Sequence, residues 1–159
     1  MIKEIKKNKG FMMVEVIVAI SIMVISILAA MSVTQKTIYA SRQALHVSEA
    51  SFLLEEGAEA TRILRDNSWS NISGLTVGTN YYPTFSGGAW TLPATPSTIG
   101  IFTRKVSIAN VNRDAKTADI SSSGVNDIGT KLVTVTVSWN EGGTILTKTL
   151  SFYIMDIFS

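Results

Sequence analysis

The sequence predicts an α+β protein in which a long N-terminal α-helix, half transmembrane and half amphipathic, packs on a C-terminal antiparallel β-sheet. Three observations predict this fold class. Residues 16–35 carry no charged side chain, and no Gly or Pro occurs between Phe11 and Glu56. The last third of the chain alternates apolar residues with Ser and Thr, as strands do. The length of 159 residues suits one domain of ordinary size.

Composition argues against catalysis. The chain has no Cys and one His, which excludes disulfides, thiol chemistry, Cys-ligated zinc and any pair of His ligands. A net charge of +2 is small for a nucleic-acid-binding protein. The mean hydropathy of +0.28, with 16% charged residues, indicates a segment more apolar than a globular core. We therefore expect no enzyme, no cofactor, no metal ion and no nucleic-acid partner.

The first 35 residues have the pattern of a membrane anchor. The leader, residues 1–10, carries one acidic residue and four basic ones: Lys3, Lys6, Lys7 and Lys9. Residues 16–35 follow without a charge, and a helix of about 20 apolar residues spans a bilayer. The basic flank predicts a cytoplasmic N-terminus and an exported remainder. A secretory signal peptide is the alternative, but its apolar region is usually about 7–15 residues long, and residues 29–32 make a poor cleavage site.

Glu15 lies at the entrance of this apolar segment. A carboxylate at the centre of a bilayer costs about 2.5–3.5 kcal/mol on insertion scales, and less near the interface. One interpretation is that the helix macrodipole stabilises Glu15 in the first turn by about 0.3–1 kcal/mol. The other is that Glu15 pairs with a cation supplied by another molecule. Its position in the sequence alone does not separate the two.

The stretch from Lys9 to Glu15, KGFMMVE, between a basic leader and an apolar helix, resembles the N-terminal signal of type IV prepilins and pseudopilins. The resemblance covers residues 1–35. It implies that a prepilin peptidase removes residues 1–10 by cleaving between Gly10 and Phe11, and then N-methylates Phe11. It also implies that Glu15 pairs with the N-terminal ammonium of a neighbouring subunit and sets the register of assembly, a role in which buried ion pairs are best attested.

The same resemblance implies a function: a structural subunit, major or minor, of a type IV pilus-type surface filament. Its expected partners are the prepilin peptidase, other pilin subunits, an inner-membrane assembly platform and, before assembly, membrane lipid. The chain would first be a single-pass membrane protein and then part of a filament outside the cell. Alternatives are a pseudopilin of a type II secretion or DNA-uptake machine, and an uncleaved, membrane-anchored binding module. A membrane-bound enzyme is the alternative that the composition opposes.

Residues 36–66 are expected to continue the helix to about Asp66 as its amphipathic half. Ile38, Leu45 and Phe52 recur every seven residues and form a narrow apolar seam, which residues 53–64 widen. His46 is predicted to lie on the polar surface without a role. The Glu59–Arg62 spacing predicts an exposed i,i+3 pair of small energetic value.

Residues 67–100 contain five Gly, three Pro and several aromatic residues, and correspond to the variable αβ-loop in the pilin resemblance. A structureless loop of this length is unusual, so short strands are expected near 76–82 and 89–92. The aromatic residues either pin this loop onto the sheet or bind a partner. Pinning is the more common role.

Residues 101–159 are predicted to form the antiparallel sheet, called the head. Apolar residues share one face of 101–111, interrupted by Arg104, and a turn at 112–115 leads to a strand at 116–120. A clean alternation at 133–139 and a turn at 140–143 lead to a last strand at 144–154. Four loop residues carry side-chain oxygens: Asp114, Asp119, Asn126 and Asp127. Their spacing fits no known calcium loop, so turn formation is the preferred interpretation and a calcium site the alternative.

Overall fold

The computed structural model describes residues 9–158, and the side chains from Met12 to Phe158. The chain divides into two units, Met1–Leu45 and His46–Ser159. Helix α1 (Lys9–Asn67) runs for 59 residues and contributes to both units. The predicted fold class is confirmed: the protein is α+β, with a long N-terminal helix whose second half packs on an antiparallel sheet.

In the N-terminal unit, the described residues are all helical. After Gly10 this stretch contains neither Gly nor Pro, so no residue interrupts the backbone hydrogen bonds of the helix. Every side chain from Met12 to Arg42 is exposed in the monomer.

The C-terminal unit, His46–Ser159, holds the rest of α1, a short helix α2 (Ser70–Ser73) and two antiparallel sheets. The smaller sheet pairs two strands of the loop region, β1 (Thr84–Ser86) and β2 (Ala89–Thr91). The larger sheet has the order β4-β3-β5-β6. Its strands are β3 (Phe102–Arg113), β4 (Ile120–Ser121), β5 (Val125–Glu141) and β6 (Thr144–Met155).

The core of this unit lies between α1 and the larger sheet. On β5 the alternation predicted from the sequence is confirmed, because Val133, Val135 and Val137 are fully buried while the intervening Thr and Ser residues face outward. Small residues of α1 meet them, including Ala50 and Ala58. One apolar face and one hydroxyl-bearing face is the usual form of an antiparallel sheet covered on one side.

Three local predictions are wrong. Residues 76–82 do not form a strand: Tyr81 makes one isolated bridge to Val106, and its hydroxyl accepts a hydrogen bond from the Thr76 N–H at 2.9 Å, which closes the loop. Strand β3 continues through Arg113, into the turn predicted at 112–115. Residues 116–119 belong to the turn and not to a strand, because the Asp114 carboxylate accepts hydrogen bonds from the N–H groups of residues 116 and 117.

The strand expected near residues 89–92 is confirmed as β2. Its partner β1 is joined to it by Gly87 and Gly88, whose φ angles are +62° and +81°. Two successive residues with positive φ fit the tight hairpin turns that match strand twist, and Gly adopts this conformation without strain.

Candidate functional site

The most unusual surface of the protein is the apolar half of α1. Fifteen large hydrophobic side chains between Met12 and Val33 are 48–71% exposed. By length and composition α1 can cross a membrane. Complete burial of one such side chain is worth about 1.5–3 kcal/mol, so this surface requires a cover of lipid or protein.

Three hydroxyl groups in this half form hydrogen bonds within the helix. Ser21 donates to the carbonyl oxygen of Ile17 at 2.7 Å, and Ser26 to that of Ile22 at 2.8 Å. Thr34 makes the same i−4 hydrogen bond. These three hydroxyl groups therefore need no external acceptor, which suits an environment without water.

Glu15 differs from these hydroxyl groups. It is the only charged residue between Met12 and Gln35 in the sequence, and its side chain is exposed. Among the residues that the structure describes, Glu15 has no hydrogen-bond or ion-pair partner. The carboxylate therefore lies on an apolar surface with its acceptor sites open to another molecule.

The predicted cleavage site lies at the N-terminal end of the described residues. Residues 1–8 of the predicted leader, and the side chain of Phe11, are outside the described part of the chain. Gly10 and Phe11 belong to the first turns of α1. Helical geometry places Phe11 and Glu15 one turn apart on the same side of the helix. Cleavage and N-methylation at these residues remain predictions.

Phe52, the seam residue of the C-terminal unit, is not part of the face of α1 that meets the sheet. Ile38, Leu45 and Phe52 are 55%, 56% and 68% exposed. The packed face consists instead of the buried residues Ala50, Leu54, Gly57, Ala58, Ala60, Thr61 and Leu64. The seam is therefore a second apolar stripe.

Gly57 allows α1 to approach the sheet closely. A Cβ atom at this position would lie 2.8 Å from Cγ1 of Val135 and 3.2 Å from Cδ of Arg104. A contact of 2.8 Å is closer than carbon atoms pack, so a larger residue would displace the helix or the strand. The hydroxyl of Thr61 donates to the carbonyl oxygen of Gly57 at 2.9 Å.

Arg104, the residue that interrupts the apolar pattern of β3, is buried with its side chain 3% exposed. Its guanidinium pairs with the Glu56 carboxylate on α1 and donates to the carbonyl oxygen of Pro83 at 3.1 Å. It also lies over the ring of Trp90, 5.5 Å from the centroid. One side chain thereby joins the helix, the sheet and the loop, while its Nε is buried without a partner.

The prediction that His46 lies on the polar surface is wrong. Its Nδ1 is 2.5 Å from Oε2 of Glu141 on β5, and its side chain is 19% exposed. The imidazole packs edge-on against Phe102, with 6.1 Å between ring centroids. Trp139 Nε1 donates to the same carboxylate oxygen at 3.2 Å. A single His in a polar stretch carries no sequence signal of such a contact, because Glu141 is 95 residues away.

The predicted pair of Glu59 and Arg62 is confirmed: Nη1 of Arg62 lies 3.3 Å from Oε2 of Glu59 on the exposed face of α1. Aromatic residues of the loop mostly pack inward: Tyr81 is buried, and Trp69 and Trp90 lie against the core. They pin the loop to the sheet, as the first interpretation held. Phe85 differs, because its side chain is 60% exposed.

The oxygen-bearing loop residues are held by protein groups. Arg113 Nε donates a hydrogen bond to Oδ2 of Asp127 at 2.5 Å. This bond, together with hydrogen bonds from the Thr130 hydroxyl and the Gly129 N–H, lowers the pKa of Asp127 from 3.8 to about 2. Hydrogen bonds from the N–H groups of residues 116 and 117 lower the pKa of Asp114. Within residues 12–158, no three His, Cys, Asp or Glu side chains gather as metal ligands would.

Comparisons with protein-family models, with characterised proteins and with solved structures found no match for this chain. Its architecture is nevertheless pilin-like, with a long apolar N-terminal helix whose second half packs on an antiparallel sheet. The features of the chain that bear on its function are therefore the surface of α1 and the residues at its beginning.

Proposed function

We propose that the protein is a pilin-like structural subunit of a type IV pilus-type filament. In this proposal a prepilin peptidase cleaves after Gly10 and methylates the amine of Phe11. The mature chain then polymerises through the apolar half of α1, with the help of an assembly platform in the inner membrane. Glu15 neutralises the ammonium group of Phe11 in a neighbouring subunit.

The observation that carries the proposal is the exposed apolar surface from Met12 to Val33, with one unpartnered carboxylate, Glu15, among the described residues. Lipid would cover the apolar side chains before assembly, and helices of other copies would cover them afterwards. A plain anchor needs no charge at this depth. A subunit that must choose one register among many similar helix pairings benefits from such a charge, because every misaligned register leaves Glu15 unpaired.

The surface also suits close helix packing. Association of helices without water depends on van der Waals contact, which small residues improve. Ala19, Ser21, Ser26, Ala29 and Ala30 are distributed through the apolar half of α1. The basic residues before Gly10 support a cytoplasmic N-terminus and an exported C-terminal unit.

A structural rather than enzymatic role is part of the proposal. Three side chains that could otherwise serve a catalytic site form ion pairs within the chain: Arg104, His46 and Asp127. Each of the three is anchored by its ion pair, and the Nε of Arg104 is the atom among them that is buried without a partner. Their arrangement supports a rigid unit displayed on a filament.

The test is mass spectrometry of the N-terminus in the native host, on membranes and on sheared surface material separately. We expect a chain beginning at N-methylated Phe11 in the sheared material. Glu15→Leu should be processed and inserted normally but should yield about tenfold less sheared polymer or none, because the register charge is absent. Glu4→Gln is the matched control, since cleavage would remove residue 4.

Three results would contradict parts of the proposal. Normal polymerisation of Glu15→Leu would refute the register role. A chain that keeps residues 1–10 and occurs only in membranes, with the peptidase active, would favour the anchored binding module. Processed protein that never reaches the sheared fraction would favour a pseudopilin of a secretion or DNA-uptake machine.

A further inference from the structure

An apolar groove of ≈ 520 Å³ opens on the surface of the C-terminal unit, beside α1. Its apolar walls include Phe52 on the helix and Ile99 and Ile101 on the loop before β3. These three side chains are 68%, 40% and 52% exposed. Glu49 lines the same groove and is the acidic residue of its wall.

A matching surface occurs elsewhere on the same sequence, in the N-terminal unit. Ile38, Arg42 and Leu45 follow the i, i+4, i+7 spacing that places residues on one face of a helix. Both apolar side chains are more than half exposed, and Arg42 is exposed as well. This face carries a cation between two apolar residues.

Both surfaces are apolar, and they carry opposite charges. Among residues 12–158, neither Arg42 nor Glu49 takes part in an ion pair. The stretch 47–61 contains four acidic residues and no basic one, whereas 36–45 contains two basic residues and no acidic one. Complementary charge around an apolar contact specifies partner and register more than it adds affinity.

We propose that the groove receives the Ile38–Arg42–Leu45 face of a second copy of this chain. Arg42 of one copy would then meet Glu49 of its neighbour, while Ile38 and Leu45 cover Phe52, Ile99 and Ile101. The inference rests on the proposed function, because a filament supplies the second copy. It adds a second, water-facing contact between subunits to the contact made by the apolar half of α1.

The absence of Cys from the sequence allows a clean test. Full-length copies carrying Ile38→Cys and copies carrying one groove substitution, Phe52→Cys, Ile99→Cys or Ile101→Cys, are co-expressed with different tags in the native host and mildly oxidised. A disulfide requires Cα atoms within about 7 Å, so it reports the contact directly. The matched control is Ile128→Cys on β5, which is 79% exposed and outside the groove.

We expect at least one groove position to form the mixed disulfide with Ile38→Cys about tenfold more than Ile128→Cys does. A charge-reversal pair provides a second measurement. Arg42→Glu and Glu49→Arg should each lower the yield of sheared polymer about tenfold, since each places like charges together. The two substitutions in one chain should restore the yield to within about twofold of the wild type.

The outcomes separate this inference from the proposed function. Normal polymer that cross-links no better at the groove than at Ile128→Cys, together with no rescue in the double charge reversal, overturns the groove contact and leaves the filament subunit in place. Wild-type protein that forms no polymer overturns the proposed function, and the groove contact with it.

Discussion

Glu56→Ala should destabilise the C-terminal unit more than Arg104→Met does, although both substitutions remove the same ion pair. The two partners differ in burial: the side chain of Arg104 is 3% exposed and that of Glu56 is 47% exposed. Removal of Glu56 leaves a buried guanidinium without its counterion. Removal of Arg104 leaves a carboxylate that water can solvate.

The expected magnitudes follow from these environments. Breaking a fully buried pair costs about 3–5 kcal/mol. We expect about 2 kcal/mol for Glu56→Ala, because the groups around the half-exposed Glu56 are accessible to water. Arg104→Met loses the hydrogen bond to Pro83 and the contact with Trp90, each worth about 1 kcal/mol. It also removes the buried, unpartnered Nε, an opposing effect of about 1–3 kcal/mol, so the net change should be below about 1 kcal/mol.

The assay is urea unfolding of the full-length protein in detergent, followed by tryptophan fluorescence. The three Trp residues, Trp69, Trp90 and Trp139, all belong to the C-terminal unit, so the signal reports its unfolding. With a denaturant slope of about 2 kcal/mol per M, Glu56→Ala should lower the midpoint by about 1 M. Glu59→Ala is the matched control, because Glu59 pairs with Arg62 on the surface and should change stability by less than about 0.5 kcal/mol.

The double variant Glu56→Ala/Arg104→Met should be about as stable as Arg104→Met alone, because no buried charge is left unpaired in either protein. This corresponds to a coupling free energy of about 2 kcal/mol between the two positions. Additive effects in the double variant, or a loss from Glu56→Ala as small as that from Glu59→Ala, would refute the reasoning.

Two further predictions concern the same unit and use the same assay. Gly57→Ala should lower stability by up to about 2 kcal/mol, because crowding of Val135 costs about 1–3 kcal/mol and helix propensity returns about 1 kcal/mol. Val135→Ala in the same chain should relieve the crowding, so that Gly57→Ala becomes stabilising there; the same effect of Gly57→Ala with Val135 and with Ala at position 135 would contradict the crowding. Because the pKa of Asp127 is lowered to about 2 from 3.8, its ion pair should stabilise the fold above about pH 4 and lose this effect as the pH falls towards 2. Asp127→Asn should therefore show a weaker fall in stability between pH 4 and pH 2, and an identical fall in both proteins would argue against the pair.

The features predicted from sequence are those that repeat over many residues. The uncharged stretch 16–35 and the absence of Gly and Pro up to Glu56 predicted α1 nearly to its observed end at Asn67. The alternation at 133–139 predicted which face of β5 is buried. Each of these patterns reflects a single constraint, a helix or a one-sided sheet, that applies at every residue of the segment.

The features that sequence reasoning missed depend on contacts between distant residues. Arg104 was visible as an interruption of β3, but its partner Glu56 is 48 residues away on α1. His46 gave no signal, because its contact with Glu141 depends on the position of a helix face over the sheet. The loop before Tyr81 was expected to be a strand, since its composition does not reveal that a hydroxyl and one bridge close it.

The composition of α1 differs between its two halves in a way that matches their different partners. Where α1 covers the sheet, its buried face is built from Gly57 and small residues such as Ala50, Ala58 and Thr61, because sheet side chains already fill the space between them. In residues 12–33 the helix instead displays large branched or flexible side chains around its whole circumference. A helix that faced one protein partner would need one apolar stripe. An apolar surface on all sides fits lipid, or several helices at once, and this supports the proposed passage from membrane to filament.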